Sequence, residues 1–249
     1  MIIVEDISEI DRNNIPRHIA CVMDGNGRWA TSQGLSRTEG HVAGEEALLP
    51  LVDVALELGI EWLTVFAFST ENWSRPHDEI EFLMQLSEKL FNRRDEFHRK
   101  GVRLRRIGRS RDLSPAPSSI FDKIDEAVEL TKDNTDMNVV FAFDYGSQDE
   151  LVNCVRSIVT ERLSPHKIDE ETIATHLYEP EMPPVDLLIR TSGEQRISNF
   201  LLWQLAYSEI VFTDTLWPDF GPLHLASAIK VYQQRKRRKG RARSLDAEK

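Results

Sequence analysis

Short apolar runs alternate along the chain with longer segments in which apolar residues recur at helical spacing. The apolar runs predict strands at 19–23, 62–69, 102–107, 137–145, 186–191 and 209–215. Helix-like segments between them predict helices over 38–59, 77–100, 118–132, 148–162 and 169–178, with a last helix after Gly221 and Pro222. The apolar run over 199–207 is interpreted as a further, buried helix. This alternation predicts an α/β protein with a mostly parallel six-stranded sheet covered by helices on both faces.

Two residues are expected to interrupt these helices. Pro50 should kink the helix over 38–59, because proline lacks the N–H group that an interior turn requires. Gly101 should end the helix over 77–100. No linker, repeat or low-complexity tract marks a domain boundary. We therefore expect a single domain over 1–229, followed by the end of the last helix and a basic tail over 230–249.

Composition constrains the class and the compartment. With 249 residues and 41% hydrophobic content, the chain is able to bury a sizeable core. Its two cysteines, Cys21 and Cys154, form neither a disulfide framework nor a metal-ligand pattern, which favours a reducing, cytoplasmic setting. The acidic N-terminal segment lacks the apolar region of a signal peptide, and no apolar run approaches the roughly 18 residues of a membrane span. Membrane contact is therefore expected to be peripheral, at the inner face.

The net charge of −10 is distributed unevenly. Residues 230–249 contain nine Lys/Arg and two carboxylates, or +7, which leaves −17 for residues 1–229. Two interpretations of this tail remain open, a solvated extension and a contact with an anionic lipid surface. Nucleic-acid binding is disfavoured, because the body is acidic and the tail contains no interleaved aromatic residues.

Polar motifs follow four of the predicted strands. Asp24 follows the first strand, the segment 69–75 the second, and the segment 190–198 the fifth, while Asp144 and Tyr145 close the fourth. In an open parallel sheet, ligands bind beyond the carboxyl ends of the strands. We therefore expect these four segments to meet at one crevice.

The segment 18–30 passes from an apolar strand through Asp24 into a glycine-containing loop. Gly25 and Gly27 allow backbone N–H groups to approach an anion, and a following helix N-terminus adds a favourable dipole. Arg28 adds a forked positive charge. This pattern indicates a site for a metal-bound diphosphate, with a tight surface turn as the alternative.

Five arginines are candidates for binding diphosphates at this edge: Arg28, Arg37, Arg75, Arg190 and Arg196. The planar guanidinium matches phosphate geometry in a way that an ammonium does not. Each one alone is equally explained as a surface arginine paired with a glutamate. The Ser-Gly turn at 192–193, with Arg190 before it and Arg196 and Ser198 after it, nevertheless favours a second oxyanion site.

Two carboxylates are the best candidates for binding Mg²⁺, which prefers a few carboxylates, water and substrate phosphate oxygens. They are Asp24 and Glu209. Without its context, Glu209 would be interpreted as a surface glutamate.

Five ordered motifs resemble those of the cis-prenyltransferase family, close to the bacterial undecaprenyl diphosphate synthases. They span nearly the whole chain and read MDGNGRWA, RTEGHVAG, FSTENWSRP, IRTSGEQRISNFLLWQ and YSEIVFTDTLWPDF. The resemblance implies a Mg²⁺-dependent transferase of isoprenoid biosynthesis that extends an allylic diphosphate, typically farnesyl diphosphate, with isopentenyl diphosphate. It also implies cis double bonds, a hydrophobic tunnel in the α/β catalytic domain, a homodimer, and a polyprenyl diphosphate product such as a cell-wall lipid carrier precursor.

Motif positions then imply roles for individual residues. Asp24 would be the catalytic Mg²⁺ ligand, with Glu209 as the second carboxylate, within the chain or across the dimer. The allylic diphosphate site would contain Gly25, Asn26, Gly27, Arg28, Trp29, Arg37 and His41. The reacting region would be lined by Ser69, Thr70, Glu71, Asn72, Trp73 and Arg75. The isopentenyl diphosphate site would contain Arg190, Gln195, Arg196, Ile197 and Ser198.

The roles implied for Asn72 and His41 also have to agree with the acid–base chemistry of their side chains. Asn72 is the proton acceptor proposed for the family, but a neutral amide is a poor base. We therefore assign Asn72 a positioning or relay role and expect a diphosphate oxygen or bound water to take the proton. His41 alone would be interpreted as a structural histidine, whereas its place in the RTEGHVAG motif favours a role in binding.

The chain departs from the family pattern after the fourth strand. FDYGSQDE contains Asp144 and Gln148 where the family commonly has asparagine and arginine, and the extra carboxylate is expected to perturb local packing or phosphate affinity. The alternative function is a non-catalytic partner subunit of the same fold. It is disfavoured because the metal carboxylate and the diphosphate arginines are all present.

Overall fold

The computed structural model describes residues 6–235, so most of the predicted basic tail lies outside the described residues. Six parallel strands form one sheet in the order β3-β4-β2-β1-β5-β6. The strands are β1 (His18–Val22), β2 (Trp62–Ser69), β3 (Val102–Ile107), β4 (Met137–Tyr145), β5 (Leu187–Arg190) and β6 (Glu209–Phe212). The predicted α/β class with a parallel six-stranded sheet is confirmed.

Helices cover both faces of this sheet. They are α1 (Asn26–Ser32), α2 (Arg37–Glu46), α3 (Leu48–Leu58), α4 (His77–Asn92), α5 (Arg94–Arg99), α6 (Ser118–Thr131), α7 (Ser147–Thr160), α8 (Glu170–Thr175) and α9 (Pro222–Gln234). Successive strand residues join apolar clusters on opposite faces, with Val139 and Phe141 on one side and Val140 and Ala142 on the other. Across residues 6–235, no helix has the length and apolar character required to cross a membrane.

The predicted helix over 38–59 is divided, and the break is not at Pro50. Pro50 is the third residue of α3, where its missing N–H has no helical partner to lose. Its ring instead conflicts with the carbonyl four residues earlier, which belongs to Glu46, the last residue of α2. Pro50 therefore accounts for the end of α2 at Glu46, one turn before its own position.

Two further helix predictions are corrected. The helix predicted over 77–100 is interrupted at Arg93 between α4 and α5, although Gly101, with φ +69°, ends it as expected. The apolar segment 199–207 forms turns and no helix. Asn199 and Leu201 both have positive φ, which a right-handed helix excludes. The prediction had rested on apolar content alone.

Two β-bulges shape the carboxyl end of the β2–β4 pair. Phe66 pairs with Ala142 and Phe68 with Phe143, which leaves Ala67 as an extra residue on β2. Ser69 then pairs with Tyr145, which leaves Asp144 as an extra residue on β4 with φ +52°. Aspartate tolerates this left-handed conformation better than most residues, and bulges re-aim side chains next to functional sites.

Candidate functional site

A cavity of about 590 Å³ opens at the carboxyl edge of the sheet, bounded by the ends of β1 and β2 and by α2 and α4. One part of its wall is polar and contains nine of the residues predicted for the site: Asp24, Asn26, His41, Ser69, Glu71, Asn72, Arg75, Arg190 and Ser198. The other part is apolar and includes Leu48, Leu83, Leu86 and Leu90. The cavity thus offers charged groups and an apolar surface to one ligand.

Asp24 is held from two sides directly after β1. Its Oδ1 accepts a hydrogen bond from the Gly25 N–H at 2.8 Å, and its Oδ2 pairs with Nη2 of Arg190 at 3.0 Å. The backbone N–H of Asp24 donates to the hydroxyl of Thr191 at 2.9 Å. The Asp24 side chain is 39% exposed while that of Arg190 is 5% exposed. The carboxylate therefore keeps an open side, while its arginine is enclosed.

The turn after β5 closes around the Arg190 guanidinium. Its Nη1 donates to the Ser198 hydroxyl at 2.8 Å and to the backbone carbonyl of Arg196. Ser192 and Ser198 both have positive φ, as the tight path of this turn requires. The structure therefore brings Arg190 and Ser198 together as the sequence predicted.

The other residues predicted for this second oxyanion site are more open. The Arg196 side chain is 71% exposed and pairs with Glu194 at 2.7 Å. Gln195 is exposed, and Ile197 packs partly against the apolar cluster below the turn. Arg28 also reaches this turn, because its Nη2 donates to the Ser192 hydroxyl. Arg28 therefore links the loop after β1 to the turn after β5.

Glu79, in the first turn of α4, is a site residue that the sequence predictions missed. Its Oε1 accepts from Nη1 of Arg75 at 2.8 Å and from Nη2 of Arg37 at 3.3 Å, and lies 3.9 Å from Nε2 of His41. Three residues predicted for diphosphate binding thus converge on one carboxylate that is 14% exposed. The available sequence signal was the i, i+4 spacing of Arg75 and Glu79.

His41 is neutral in this environment. Burial lowers the pKa of His41 to about 4, and the positive charges of Arg75 and Arg37 act in the same direction against the opposing effect of Glu79. Its Nδ1 lies 3.3 Å from Nδ2 of Asn26 and accepts from that amide, which places the ring proton on Nε2. This buried Nε2 has no hydrogen-bond partner among residues 6–235. An unpaired donor of this kind suits an anionic ligand.

Two glycines of the RTEGHVAG motif bring α2 close to α1. A Cβ at Gly40 would lie 2.2 Å from the backbone oxygen of Asn26, and one at Gly44 would lie 2.4 Å from its Oδ1. Only glycine fits at either position without moving Asn26. The motif therefore sets the contact between Asn26 and His41.

The 3₁₀ turn Thr70–Ser74 presents Asn72 to the cavity. The Ser69 N–H donates to Oδ1 of Asn72 at 2.9 Å, so the amide NH₂ is the group left for a ligand. Partial burial raises the pKa of Glu71, but hydrogen bonds from Asn199 and Thr70 outweigh it and leave that pKa below its usual range. Glu71 is therefore ionised beside the cavity.

Asp144 is fully buried and does not add a carboxylate to the cavity. Its Oδ1 accepts from Nε1 of Trp73 at 2.7 Å and from Nη2 of Arg109 at 2.6 Å. Asp144 thereby anchors the turn that carries Asn72. Gln148 is exposed and contributes its backbone N–H to Asn199. Asp144 and Gln148 were expected to alter either local packing or phosphate affinity, and the contacts described here are contacts of local packing.

The structure places Glu209 away from Asp24 within one chain. Glu209 is the first residue of β6 and pairs with Leu187, whereas Arg190 pairs with Phe212. At about 3.3 Å per strand residue, Glu209 lies about 10 Å along the strand from the level of Arg190. Its carboxylate pairs with Arg235 at 2.7 Å. Its role as a second metal ligand stays a prediction and requires another subunit.

Trp29 lies beside the site without lining the cavity. Its Nε1 donates to Asp219 at 2.8 Å, and the side chain is half-buried. This bond fixes α1 against the loop before α9.

Asp24 is the carboxylate at this edge whose open side fits a metal ion. In the part of the chain that the structure describes, no three His, Cys, Asp or Glu residues are arranged to hold a metal. Mg²⁺ usually binds one or two carboxylates, several waters and substrate phosphates. An open carboxylate next to arginines therefore fits Mg²⁺ that is delivered with a diphosphate.

Sequence comparison shows the family to which these features correspond. Residues 22–240 match the prenyltransferase family model described as undecaprenyl diphosphate synthase. The chain is 49% identical over 239 residues to a trans,polycis-polyprenyl diphosphate synthase ((2Z,6E)-farnesyl diphosphate specific) of Thermobifida fusca, covering 94% of this chain and 84% of that protein. It is 46% identical over 235 residues to decaprenyl diphosphate synthase of Mycobacterium tuberculosis, covering 92% and 78%.

Solved structures show the same fold. Lavandulyl diphosphate synthase from Lavandula x intermedia, in complex with dimethylallyl diphosphate, has a TM-score of 0.85 and 35% identity over 90% of this chain and 98% of that chain. A probable undecaprenyl diphosphate synthase from Campylobacter jejuni has a TM-score of 0.77 and 34% identity over 92% and 100%.

Proposed function

The chain belongs to the undecaprenyl diphosphate synthase family of cis-prenyltransferases, and from this premise we propose that it extends an allylic diphosphate with isopentenyl diphosphate in a Mg²⁺-dependent reaction. Farnesyl diphosphate is the expected starter. The observation that carries the proposal is the open Asp24 carboxylate paired with Arg190 beside a cavity that has an apolar wall.

The allylic diphosphate is proposed to bind between α1, α2 and the start of α4. Arg37 and Arg75 contact Glu79, and an incoming diphosphate would replace that carboxylate as the partner of both arginines. The neutral His41 is able to donate its unpaired Nε2–H to the ligand without first binding a proton. This combination of two cations and one neutral donor favours a diphosphate over a monoanion.

Isopentenyl diphosphate is proposed to bind at the turn after β5. Arg190 is already oriented by Ser198 and Asp24, and the exposed Arg196 would exchange its partner Glu194 for a phosphate. Arg28 lies between the two proposed sites through its contact with Ser192. Two diphosphates would thus be held side by side with their prenyl groups toward the cavity.

The proposed reaction breaks the allylic C–O bond, forms a carbon–carbon bond to the isopentenyl unit and releases a proton and diphosphate. Mg²⁺ at Asp24 would stabilise the negative charge on the departing diphosphate. Arg28 and Arg190 add fixed positive charge at the same place. Asn72 presents its NH₂ and therefore orients a diphosphate oxygen or water that accepts the proton.

The growing chain is proposed to extend along the apolar wall, as the predicted hydrophobic tunnel requires. Its product would be a cis-polyprenyl diphosphate of the kind used as a cell-wall lipid carrier precursor. We further propose a cytoplasmic homodimer in which Glu209 approaches the partner's site. The two free cysteines support a reducing compartment, and the position of Glu209 away from Asp24 of its own chain supports a contact with the partner's site.

One assay tests the proposal. Purified protein is incubated with labelled isopentenyl diphosphate and farnesyl, geranyl or dimethylallyl diphosphate, with Mg²⁺ or with excess EDTA, and products are sized after dephosphorylation. We expect labelled polyprenols from an allylic starter with Mg²⁺ and none with EDTA. A folded protein that incorporates no label with any starter would contradict the proposal.

A further inference from the structure

Asn199 joins two segments that the proposed function assigns to different diphosphates. Its Nδ2 donates to Oε1 of Glu71 at 3.0 Å. Its Oδ1 accepts from the backbone N–H of Gln148 at 2.8 Å, and its carbonyl accepts from the N–H of Ser147 at 2.8 Å. The start of α7 therefore orients Asn199 with its amide donor directed at Glu71, and both residues line the cavity.

This hydrogen bond connects segments that follow strands not adjacent in the sheet. The segment 69–75 includes the end of β2 and the segment 190–199 the end of β5, and β1 lies between these two strands. Among residues 6–235, no other hydrogen bond joins the two segments directly. Asn199 has φ +59°, a conformation that asparagine tolerates better than most residues. The connection between the two segments therefore depends on this one side chain.

Gly146 provides the space for the connection. A Cβ at Gly146 would lie 2.6 Å from the Thr70 hydroxyl and 2.8 Å from Nδ2 of Asn199. Thr70 in turn donates to Oε2 of Glu71 at 3.1 Å, so each carboxylate oxygen of Glu71 accepts a hydrogen bond. We call Thr70, Glu71, Gly146 and Asn199 the Asn199 junction. It holds Glu71 between its own turn and the turn after β5.

We propose that the Asn199 junction couples the two diphosphate sites, so that a ligand at either site strengthens binding at the other. The inference rests on the proposed function and names Asn199 as a positioning residue for it. Arg75 of the allylic site shares a segment with Glu71, and Ser198 of the isopentenyl site directly precedes Asn199. A ligand that orders one segment thereby supplies part of the ordering that the other segment requires. The coupling is reciprocal, because it is one free energy shared by both sites.

Asn199→Asp removes the donor with the least disturbance of the junction. Aspartate has nearly the same shape, tolerates the left-handed conformation and still accepts from the Gln148 N–H. It also places a second carboxylate beside Glu71, so the two segments repel each other. Adding Glu71→Gln reverses the hydrogen bond, since the glutamine NH₂ donates to the introduced carboxylate while its oxygen accepts from Thr70. Asn92→Asp, at the exposed end of α4, is the control for the change of charge.

Calorimetry with an allylic probe that resists ionisation measures the coupling. Isopentenyl diphosphate is titrated with Mg²⁺ into the protein alone and into protein saturated with farnesyl thiolodiphosphate, in which a C–S bond replaces the reacting C–O bond. The second titration should be about fivefold tighter in the wild-type protein and in Asn92→Asp. In Asn199→Asp the two affinities should agree within about 1.5-fold, and adding Glu71→Gln should restore at least about half of the lost factor.

The outcomes separate this inference from the proposed function. Binding of both probes without coupling in the wild-type protein, or an unchanged coupling factor in Asn199→Asp, overturns the inference and leaves the proposed function standing. Equal weakening of both sites that Glu71→Gln does not reverse also overturns it, because that result indicates a purely structural role. Coupled binding without product formation supports the inference and overturns the proposed reaction, whereas a protein that binds neither probe overturns both. If Asn199→Asp does not fold, Asn199→Gly suits the same backbone conformation and should abolish the coupling as well.

Discussion

Asp24 and Arg190 hold each other in position before any substrate binds. The carboxylate accepts from the Gly25 N–H and from Arg190, while Arg190 is also bound by Ser198. These bonds fix rotamers that would otherwise have to be ordered when the ligand arrives. At the residue scale, the site is therefore preorganised by contacts between its own binding groups.

Replacement of Asp24 tests the metal assignment. Asp24→Ala should reduce Mg²⁺-dependent turnover by at least about 100-fold, because the charge on the leaving diphosphate loses its organising carboxylate. The fold should persist with a lowered melting temperature, because the enclosed Arg190 loses its carboxylate partner but keeps the Ser198 hydroxyl. Label incorporation and thermal unfolding measure both effects, with the exposed Asp112→Ala as control. Ordinary activity in folded Asp24→Ala protein would refute the metal site.

Replacement of Arg196 tests whether two diphosphates bind separately. Arg196→Ala should raise the KM for isopentenyl diphosphate about tenfold, because one charged hydrogen bond is lost, and should leave the allylic KM within about twofold. Arg37→Ala should show the opposite preference. The two constants are measured with the other substrate saturating. Equal increases in both would argue against separate sites.

At the scale of elements, the paired bulges on β2 and β4 decide which side chains reach the cavity. Ala67, the extra residue on β2, lines the cavity together with Ser69. Val65 packs on the same apolar cluster as Ala67, as strand alternation predicts, but it is fully buried and does not line the cavity. Asp144, the extra residue on β4, turns inward to Trp73. The two register shifts therefore determine how the segment 69–75 faces the cavity.

Ala67 is expected to restrict space when it is enlarged. Ala67→Leu should shift products toward shorter chains while the first condensations continue, because the larger side chain occupies the cavity beside Ser69. Ala67→Ser is the size-matched control and should keep the wild-type lengths. Chromatography of dephosphorylated products gives the distribution. An unchanged distribution from folded Ala67→Leu protein would show that Ala67 does not limit the path.

At the scale of the whole molecule, two buried histidines couple folding to pH. Burial lowers the pKa of His18 to about 4, as it does for His41, from an ordinary value near 6.5. The unfolded chain therefore binds more protons between these values, so stability is full above pH 6.5 and declines as pH falls toward 4. Each histidine should cost about 2 kcal/mol between pH 7 and pH 5.

Urea unfolding at pH 7 and pH 5 measures this loss. His18→Gln should remove about half of the pH dependence, because His18 is enclosed by Pro183 and Thr64. His77→Gln should have no effect, since the His77 side chain is 85% exposed. Equal pH dependence in all three proteins would contradict the assignment.

The basic tail gives the molecule its largest charge asymmetry. Deleting residues 236–249, which carry a net +5, should reduce association with anionic vesicles and leave turnover of short soluble substrates within about twofold. Arg235 and its pair with Glu209 remain in this truncation. Vesicle sedimentation at low and high salt compares the two proteins. Equal binding by both would remove the membrane role of the tail.

Local pattern was sufficient for the central strands and for the identity of most site residues. The bounds predicted for 62–69, 102–107 and 137–145 agree with β2, β3 and β4, because turn-forming residues at both ends of each apolar run mark where the strand begins and ends. The carboxyl-edge rule for parallel sheets likewise brought Asp24 and Arg190 to one crevice.

Tertiary structure alone decided what depends on contacts between distant segments. The strand order, the convergence of Arg37 and His41 on Glu79, and the inward turn of Asp144 each require packing of elements far apart in sequence. The segment 199–207 shows the same limit, since its apolar residues fit a helix or a set of buried turns equally well. The register of β6 against β5, which pairs Glu209 with Leu187 and Phe212 with Arg190, is likewise set by pairing between distant segments and cannot be derived from residue type.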